Sequence, residues 1–449
     1  MLENRRLQPP GGTGILAWAR HYRRAWLSGD LTAGLVVSVM IIPQSMAYAM
    51  LAGLPVQIGL YASLLPLIGY AIFGSSMSLS VGPVAVTGLM TATLLAPMAA
   101  IGSEAYLQLA IWLALLSGVM LFVFGLLRLG FLANFLSHPV ISGFISGAAI
   151  LIVLSQLPHL LGIPRLPASP MQLLDNWQMI NSLVLGFGLI CLLLLLYARS
   201  LLAGHLKRLG VKQALATLLA RLAPIVVVGL AMAVTVFGGL AERGVPVVGS
   251  LPLGLPSLYW VTPDLSNLRS LLLPAALISL VSFVESVSIA QSLARHKRQS
   301  IDANQELLAL GAANLGSGIT GGFAVCGGFS RSVVNVEAGA NTPLAGIVAA
   351  LIIALILVTI APIFAHLPLV VLAVIILVAV TPLIDLASLK RAWRYDKSEG
   401  LTLFCTAAGV LVLGIEGGIV LGICLSIAAQ LWRGSRPHVA VVGRVPGTQ

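Results

Sequence analysis

The chain has 449 residues, of which 58% are hydrophobic and only 9% are charged, and its formal net charge is +11. A soluble domain carries about a quarter of its residues as charged side chains, so this chain could not cover its surface in water. The composition therefore excludes a soluble protein. It also gives no support for nucleic-acid binding, because the positive charge is not accompanied by interleaved surface aromatic residues or by a nucleic-acid-binding motif.

Apolar segments recur along the whole chain, and about 20 apolar residues are enough to cross a bilayer. The first seven lie near residues 31–51, 57–74, 83–99, 105–127, 138–161, 180–198 and 222–240. The second seven lie near residues 270–293, 303–320, 330–340, 343–363, 368–387, 400–414 and 416–432. This pattern predicts an all-α polytopic membrane protein with 14 transmembrane segments. Segments 3 and 10 are short and follow glycine-rich stretches, which predicts that they are half-helices.

The distribution of basic residues predicts the orientation. With fourteen spans, all but four of the 25 lysines and arginines fall in the termini or in loops on the same side. Three of the four, Arg165, Arg243 and Arg269, lie on the other side, and Arg331 lies in segment 10. Cytoplasmic loops carry the excess of lysine and arginine. We therefore expect both termini to be cytoplasmic, in a chain that crosses the cell (inner) membrane many times.

Two features repeat at an offset of seven segments. Segment 1 contains Gln44 followed by serine and small residues, and segment 8 contains Glu285 in a similar setting. The two short segments also occupy equivalent places in the two halves. Because seven is odd, the halves must have opposite orientations, which predicts a 7+7 inverted repeat. Short interrupted helices at matching positions of such repeats indicate a transport site.

The predicted half-helices indicate the sign of the substrate. Non-helical backbone at membrane depth occurs only where it is buried in protein or lines a cavity. Half-helices that begin near Val84 and Ser330 would direct their N-terminal N–H groups to a common centre, and each helix N-terminus carries roughly half a positive charge that favours anions. Arg331 adds a full positive charge, whose partner would be a bound anion, Glu285 or both. The sequence therefore predicts a small anion as the substrate.

Several motifs resemble those of the SulP (sulfate permease) family of anion transporters. The segment from Pro55 to Pro66, continued by 74–76 and 81–86, resembles the family signature, and residues 30–34 and 328–335 resemble further family blocks. The resemblance covers essentially the whole membrane region. It implies a 14-segment inverted repeat with a core subdomain and a gate subdomain, and usually a homodimer.

The resemblance also implies a domain organisation. The transmembrane domain would span residues 29–433, with the core at about 29–130 and 270–363 and the gate at about 135–240 and 368–433. Residues 1–28 would form a cytoplasmic N-terminal segment. Family members usually continue into a cytoplasmic STAS domain after a segment like 436–448, where this chain ends. We interpret residues 434–449 as the start of a linker to a missing STAS domain, and a naturally short member is the alternative.

Family members bind anions between helices 1 and 8 and the N-termini of half-helices 3 and 10. Carried over to this chain, the substrate-binding residues are Gln44, Tyr48, Val84, Ala85, Glu285, Ser288, Phe329, Ser330 and Arg331. Glu285 is also the expected coupling residue, with H⁺ or Na⁺ as the coupling ion and with no cofactor or resident metal. An ionisable residue at membrane depth is a functional-site hypothesis by default.

Each of these residues also has a purely structural interpretation. Glu285 would then be the counter-ion of Arg331, and Arg331 would be neutralised by Glu285 or Glu337. Gln44 would connect neighbouring helices, and Tyr48 and Phe329 would be ordinary packing residues. Two further acidic residues, Asp302 and Glu306, open segment 9, and N-terminal helix capping explains both.

Together these observations predict a secondary active transporter of small anions, of the sulfate, bicarbonate or dicarboxylate class. It would work by H⁺ or Na⁺ symport or by anion exchange, with elevator-type alternating access. We expect membrane lipid and a second copy as partners and no nucleic acid. The absence of a nucleotide-binding loop, a nucleophile triad or a metal-ligand cluster argues against an enzyme. The alternatives are a nucleobase–cation symporter of the same architecture, a passive anion channel or a voltage-sensing scaffold.

Overall fold

The structure, a computed structural model, describes residues 15–16, 18–134, 138–163, 180–259, 265–297, 299–395 and 397–434. The predicted linker lies outside these residues except for position 434, and so does most of the predicted N-terminal segment. The first nine helices are α1 (Leu27–Leu51), α2 (Gln57–Tyr61), α3 (Leu65–Phe73), α4 (Ala85–Leu95), α5 (Glu104–Leu126), α6 (His138–Leu161), α7 (Ser182–Tyr197), α8 (Ala203–Arg208) and α9 (Gln213–Phe237). The others are α10 (Leu265–Lys297), α11 (Ala303–Ile319), α12 (Phe329–Glu337), α13 (Leu344–Thr359), α14 (Leu369–Val380), α15 (Leu386–Tyr395) and α16 (Lys397–Gly434).

The helices confirm the prediction of a mostly helical, multi-pass membrane protein. Seven stretches of the described chain are long and apolar enough to span a bilayer, and four shorter apolar helical stretches accompany them. The predicted segments at 400–414 and 416–432 form the single element α16, which is broken at Gly414 by a backbone φ of 78° and ψ of 178°. Glycine adopts this positive φ readily, and Gly414 is the residue at which the first of the two predicted segments ends. The count of fourteen segments stays a prediction.

The two predicted half-helices are present, within about one residue of their expected starts. Helix α4 has 11 residues and begins at Ala85, and α12 has 9 residues and begins at Phe329. Each follows a two-residue strand, β1 (Val81–Gly82) or β2 (Cys326–Gly327), and the two strands pair antiparallel. The all-α prediction did not include these strands. Their pairing satisfies backbone groups that would otherwise be unpaired inside the membrane.

The described chain divides into two compact units. The larger consists of Met1–Ala133 and Ala148–Ile384, and the smaller of Asn134–Gly147 and Asp385–Gln449. Within the smaller unit, Gly147 packs closely against α16, since a Cβ atom there would lie 2.9 Å from the carbonyl oxygen of Ala407. Small residues of this kind let membrane helices approach each other. The predicted core and gate boundaries stay a prediction.

A buried carboxylate joins α1 to the turn between α12 and α13. Asp30, near the start of α1, accepts hydrogen bonds from the backbone N–H groups of Asn341 and Thr342 at 2.7 and 3.0 Å, and from the Thr342 hydroxyl at 2.7 Å. These residues form the turn between α12 and α13. The carboxylate thus satisfies backbone donors at the start of α13 and fixes the position of the turn that follows the second half-helix.

Of the two acidic residues predicted to cap α11, only Asp302 does so. Its carboxylate accepts from the backbone N–H groups of Asn304 and Gln305 at 2.9 and 3.3 Å. The capping interpretation of Glu306 is wrong. Glu306 is fully buried and accepts its hydrogen bonds from residues near the end of α3 and in the turn after it. The correction follows from long-range packing, which brings residues 230 positions apart into contact.

Candidate functional site

The strand pair holds the two half-helices with their N-termini at one place. Val81 pairs with Gly327 and Gly82 with Cys326. Helix α4 begins three residues after the end of β1, and α12 begins two residues after the end of β2. The residues before the helices, Val84 and Gly328, have extended backbone, and neither N-terminus is capped by a side chain. The first N–H groups of a helix have no partner within that helix. Two partial positive charges therefore lie at the same strand pair.

Arg331 adds a full charge to this place. Its side chain is 2% exposed, and its Nη1 and Nη2 atoms donate no hydrogen bond to any residue that the structure describes. The guanidinium lies against the strand pair: a Cβ atom on Gly82 would be 3.0 Å from Nη1, and one on Gly328 would be 2.7 Å from Nε. A buried cation needs a compensating partner. The arrangement therefore favours the binding of an anion at the guanidinium.

A cavity of about 490 Å³ opens over this arginine. Eight of the nine predicted site residues line it, namely Gln44, Tyr48, Val84, Ala85, Glu285, Phe329, Ser330 and Arg331. Gln44 and Tyr48 come from α1 and are mostly buried, whereas Phe329 is 52% exposed. Apolar walls with a few convergent polar groups are typical of small-molecule sites. The structure thus brings these eight residues together, although their roles in binding stay predictions.

Ser288 does not line the cavity. It is exposed on α10, and its hydroxyl donates to the carbonyl oxygen of Val284 on the same helix at 2.7 Å. Such a bond to the preceding turn satisfies a serine hydroxyl locally. The neighbouring Ser286 is buried instead, and its hydroxyl accepts the backbone N–H of Gly327 at 2.8 Å. Ser286 therefore ties α10 to β2, a contact that the sequence did not reveal.

Glu285 lines the cavity and also contacts the strand pair. Its Oε2 atom accepts a hydrogen bond from the Cys326 thiol at 3.5 Å. Cys326 belongs to β2 and is fully buried. Because thiols are weak donors, this contact leaves most of the hydrogen-bonding capacity of the carboxylate for other partners. Glu285 therefore combines access to the cavity with a link to the backbone that carries Arg331.

Two further arginines line the cavity and were not predicted as site residues. Arg199 follows α7, and its Nη1 atom donates to the carbonyl oxygen of Val378 at 2.5 Å. Arg221, on α9, forms an ion pair with Glu337 at the end of α12. The suggestion that Glu337 neutralises Arg331 is therefore wrong, because the arginine it pairs with is Arg221. In the sequence, the only indication of these two arginines was the concentration of basic residues in the segment 199–221.

The geometry defines a class of protein. A cavity among apolar helices, lined by the starts of two half-helices that follow an antiparallel strand pair, is typical of membrane transporters with inverted repeats. Comparison with known proteins identifies the family. The model of the sulfate permease family matches residues 27–406, and the chain belongs to that family.

Individual relatives agree with this assignment. A chloroplastic sulfate transporter of Arabidopsis thaliana is 36% identical over 442 residues, which cover 96% of this chain and 62% of the relative. A probable sulfate transporter of Mycobacterium tuberculosis is 37% identical over 434 residues, covering 95% of this chain and 74% of the relative. This chain therefore spans less than two thirds of the Arabidopsis protein's length.

A solved structure supports the fold. The murine solute carrier 26 family member A9, an anion transporter in the inward-facing state, matches with a TM-score of 0.83 and 23% identity. The match covers 93% of this chain and 70% of the other. At this identity the likeness bears on the fold alone.

The glycine beside the guanidinium gives a first test of the site. Gly328 has φ −101° and ψ 118°, which alanine adopts without strain, so Gly328→Ala would act only through its added methyl group. We expect this methyl to displace the Arg331 guanidinium and to lower anion uptake into proteoliposomes about tenfold or more. Gly346→Ala is the matched control, because its methyl would have no atom closer than 3.7 Å. Equal uptake by the two variants would contradict the proposed position of the guanidinium.

Proposed function

We propose that this chain is the membrane domain of a secondary transporter of small anions. The observation that carries the proposal is the buried Arg331 guanidinium, held between two glycines at the meeting point of two half-helices. One full and two partial positive charges at the floor of a cavity favour an anion with several acceptor oxygens. Sulfate, bicarbonate and dicarboxylates all have this chemistry, and two relatives are named as sulfate transporters.

The position of the cavity supports alternating access of the elevator type. Its lining combines residues of the proposed core, such as Gln44, Glu285 and Arg331, with residues of the proposed gate, such as Thr217 and Ile375. A site between two bodies can change sides when one moves against the other. In this proposal the half-helices travel with the anion, while α9 and α14 remain with the gate.

The arginines that line the cavity indicate the side of the membrane to which it is open. Arg199 and Arg221 line the cavity, and they belong to the more basic side of the chain, which the positive-inside rule places in the cytoplasm. The cavity would therefore be open to the cytoplasm, with both termini on that side of the cell membrane. We further propose that the protein works as a homodimer and that Glu285 couples anion movement to H⁺ or Na⁺.

Uptake by the purified protein in proteoliposomes tests the proposal. Labelled sulfate, bicarbonate and succinate would be offered separately, each with an imposed pH gradient, with a Na⁺ gradient or with the same anion inside. We expect saturable uptake of at least one anion, driven by one of these conditions, and no uptake by empty liposomes. Saturable uptake of uracil without any anion uptake would favour the nucleobase alternative. Ion currents far above transporter turnover, without a coupling ion, would indicate a channel.

A further inference from the structure

One face of helix α11 carries polar side chains that are completely buried. Glu306, Asn314 and Ser317 are each 0% exposed. Their spacing of eight and eleven residues places them along one side of a helix with 3.6 residues per turn. None of the three lines the cavity. Buried polar groups of this kind are retained where their hydrogen bonds hold other segments in place.

Near the start of α11, Glu306 holds the segment that leads into β1. Its carboxylate accepts from the hydroxyl groups of Tyr70 and Ser75 at 2.9 and 2.7 Å, and from the backbone N–H groups of Ser75 and Ser76 at 3.0 and 3.1 Å. Carboxylate hydrogen bonds are roughly twice as strong as neutral ones. The turn after α3 is therefore fixed to α11, five residues before β1 begins.

Further along α11, Asn314 and Ser317 hold the segment that leads into β2. The Asn314 amide donates to the carbonyl oxygen of Val325 at 3.0 Å and accepts from its N–H at 2.9 Å. The Ser317 hydroxyl donates to the carbonyl oxygen of Phe323 at 2.6 Å. Val325 directly precedes β2. The same helix therefore holds the approaches to both strands of the anion site.

Helix α11 is itself packed tightly against α5. A Cβ atom on Gly311 would lie 2.7 Å from the backbone nitrogen of Phe122, and one on Gly118 of α5 would lie 2.7 Å from the backbone nitrogen of Leu315. Backbones this close leave no room for one helix to shift against the other. Glu306, Asn314 and Ser317 therefore lie on a helix whose position is fixed by its packing against α5.

From these contacts we propose that Glu306 and Asn314 are positioning residues of the anion site. They fix the two strands, and with them the N-termini of α4 and α12, at the separation that an anion requires. The inference rests on the proposed function. Glu306 acts from outside the cavity, through Ser75 and Ser76, and touches no substrate. Its loss should therefore weaken anion binding more than it slows the transport cycle.

The test uses Glu306→Gln in the full chain. Glutamine keeps the shape, but its NH₂ group must face donors where the carboxylate accepted. We expect the KM for anion uptake to rise about tenfold, while the maximal rate changes less than about twofold. The probe is whichever of labelled sulfate, bicarbonate or succinate the wild-type protein takes up best. Ser75→Ala, which keeps the carboxylate and removes its 2.7 Å bond, should raise the KM in the same direction.

Thr320→Val is the matched control. Thr320 follows α11 and is 3% exposed, and its hydroxyl shares its proton among the carbonyl oxygens of Tyr61, Gly316 and Ser317 at 3.1, 3.0 and 3.0 Å. Its contact outside α11 is therefore to a different segment from the one that Glu306 holds. We expect Thr320→Val to leave the KM unchanged, even if its melting temperature falls as far as that of Glu306→Gln.

An unchanged KM in both Glu306→Gln and Ser75→Ala would overturn the inference, as would an equal rise of the KM in Thr320→Val. If Glu306→Gln does not fold, the Ser75→Ala result decides. Wild-type protein that takes up none of the three anions would instead refute the proposed function.

Discussion

Replacing Arg331 by glutamine is expected to abolish anion uptake. The guanidinium is 2% exposed, and two of its nitrogens have no hydrogen-bond partner among the described residues. Two charge-assisted hydrogen bonds to an anion, at roughly 1.5–3 kcal/mol each, correspond to an affinity loss of about 100-fold or more. The measurement is the concentration dependence of uptake into proteoliposomes, with direct anion binding by calorimetry on the same preparation.

Arg331→Lys separates the charge of this residue from its shape. Lysine keeps the positive charge but offers a compact ammonium group in place of the planar fork. We expect intermediate affinity, because the charge still attracts the anion while the bidentate geometry is lost. Arg199→Gln provides a comparison within the same cavity, since Arg199 already donates to the Val378 carbonyl. If Arg331→Gln bound anions as tightly as the wild type, the guanidinium would not be part of the site.

The second large effect is expected at Glu285. This carboxylate lines the cavity and is tied to β2 through the weak Cys326 thiol bond. Glu285→Gln keeps the size of the side chain but cannot carry a proton or balance a cation. Thermodynamic coupling between two ligands is commonly about 5–150-fold in affinity. We therefore expect gradient-driven uptake to fall by about this range, while exchange of labelled for unlabelled anion continues.

Gradient-driven uptake and anion exchange, measured on the same Glu285→Gln protein, distinguish a coupling role of Glu285 from a structural one. If Glu285 only balances the charge of Arg331, its neutralisation should reduce driven uptake and exchange together and should lower the melting temperature of the protein. Cys326→Ser provides a control, because it changes the contact of the carboxylate and leaves its charge. Gradient-driven uptake at the wild-type level in Glu285→Gln would rule out the coupling role.

Much of the site was predictable because its signals are local. A half-helix requires a short apolar run after a glycine-rich stretch, and both runs began within about one residue of the predicted Val84 and Ser330. Arg331 stands out in any hydropathy reading, because a charge at membrane depth is costly and rare. The kink at Gly414 was likewise visible as a break between two apolar segments.

Two of the errors share a cause, which is that a side chain's partner is set by packing between distant segments. Glu306 was interpreted as a helix cap from its position in the chain, but its partner Ser75 lies 231 residues away. Glu337 was considered as a partner of Arg331, and the fold places it against Arg221 on α9 instead. The third error is local: Ser288 was assigned to the site from a family pattern, yet its hydroxyl bonds to the Val284 carbonyl oxygen of its own helix.

By itself, the sequence determined that this protein crosses the membrane many times, that two of its helices are short half-helices, and that a cation, Arg331, lies in the second of them. These properties follow from hydropathy, glycine content and charge, which are read residue by residue along the chain. Only the tertiary structure decided that β1 pairs with β2, that two glycines enclose the guanidinium, and that α11 holds both strand approaches. Those contacts join segments more than 200 residues apart in most cases, and their geometry exists only once the helices have packed.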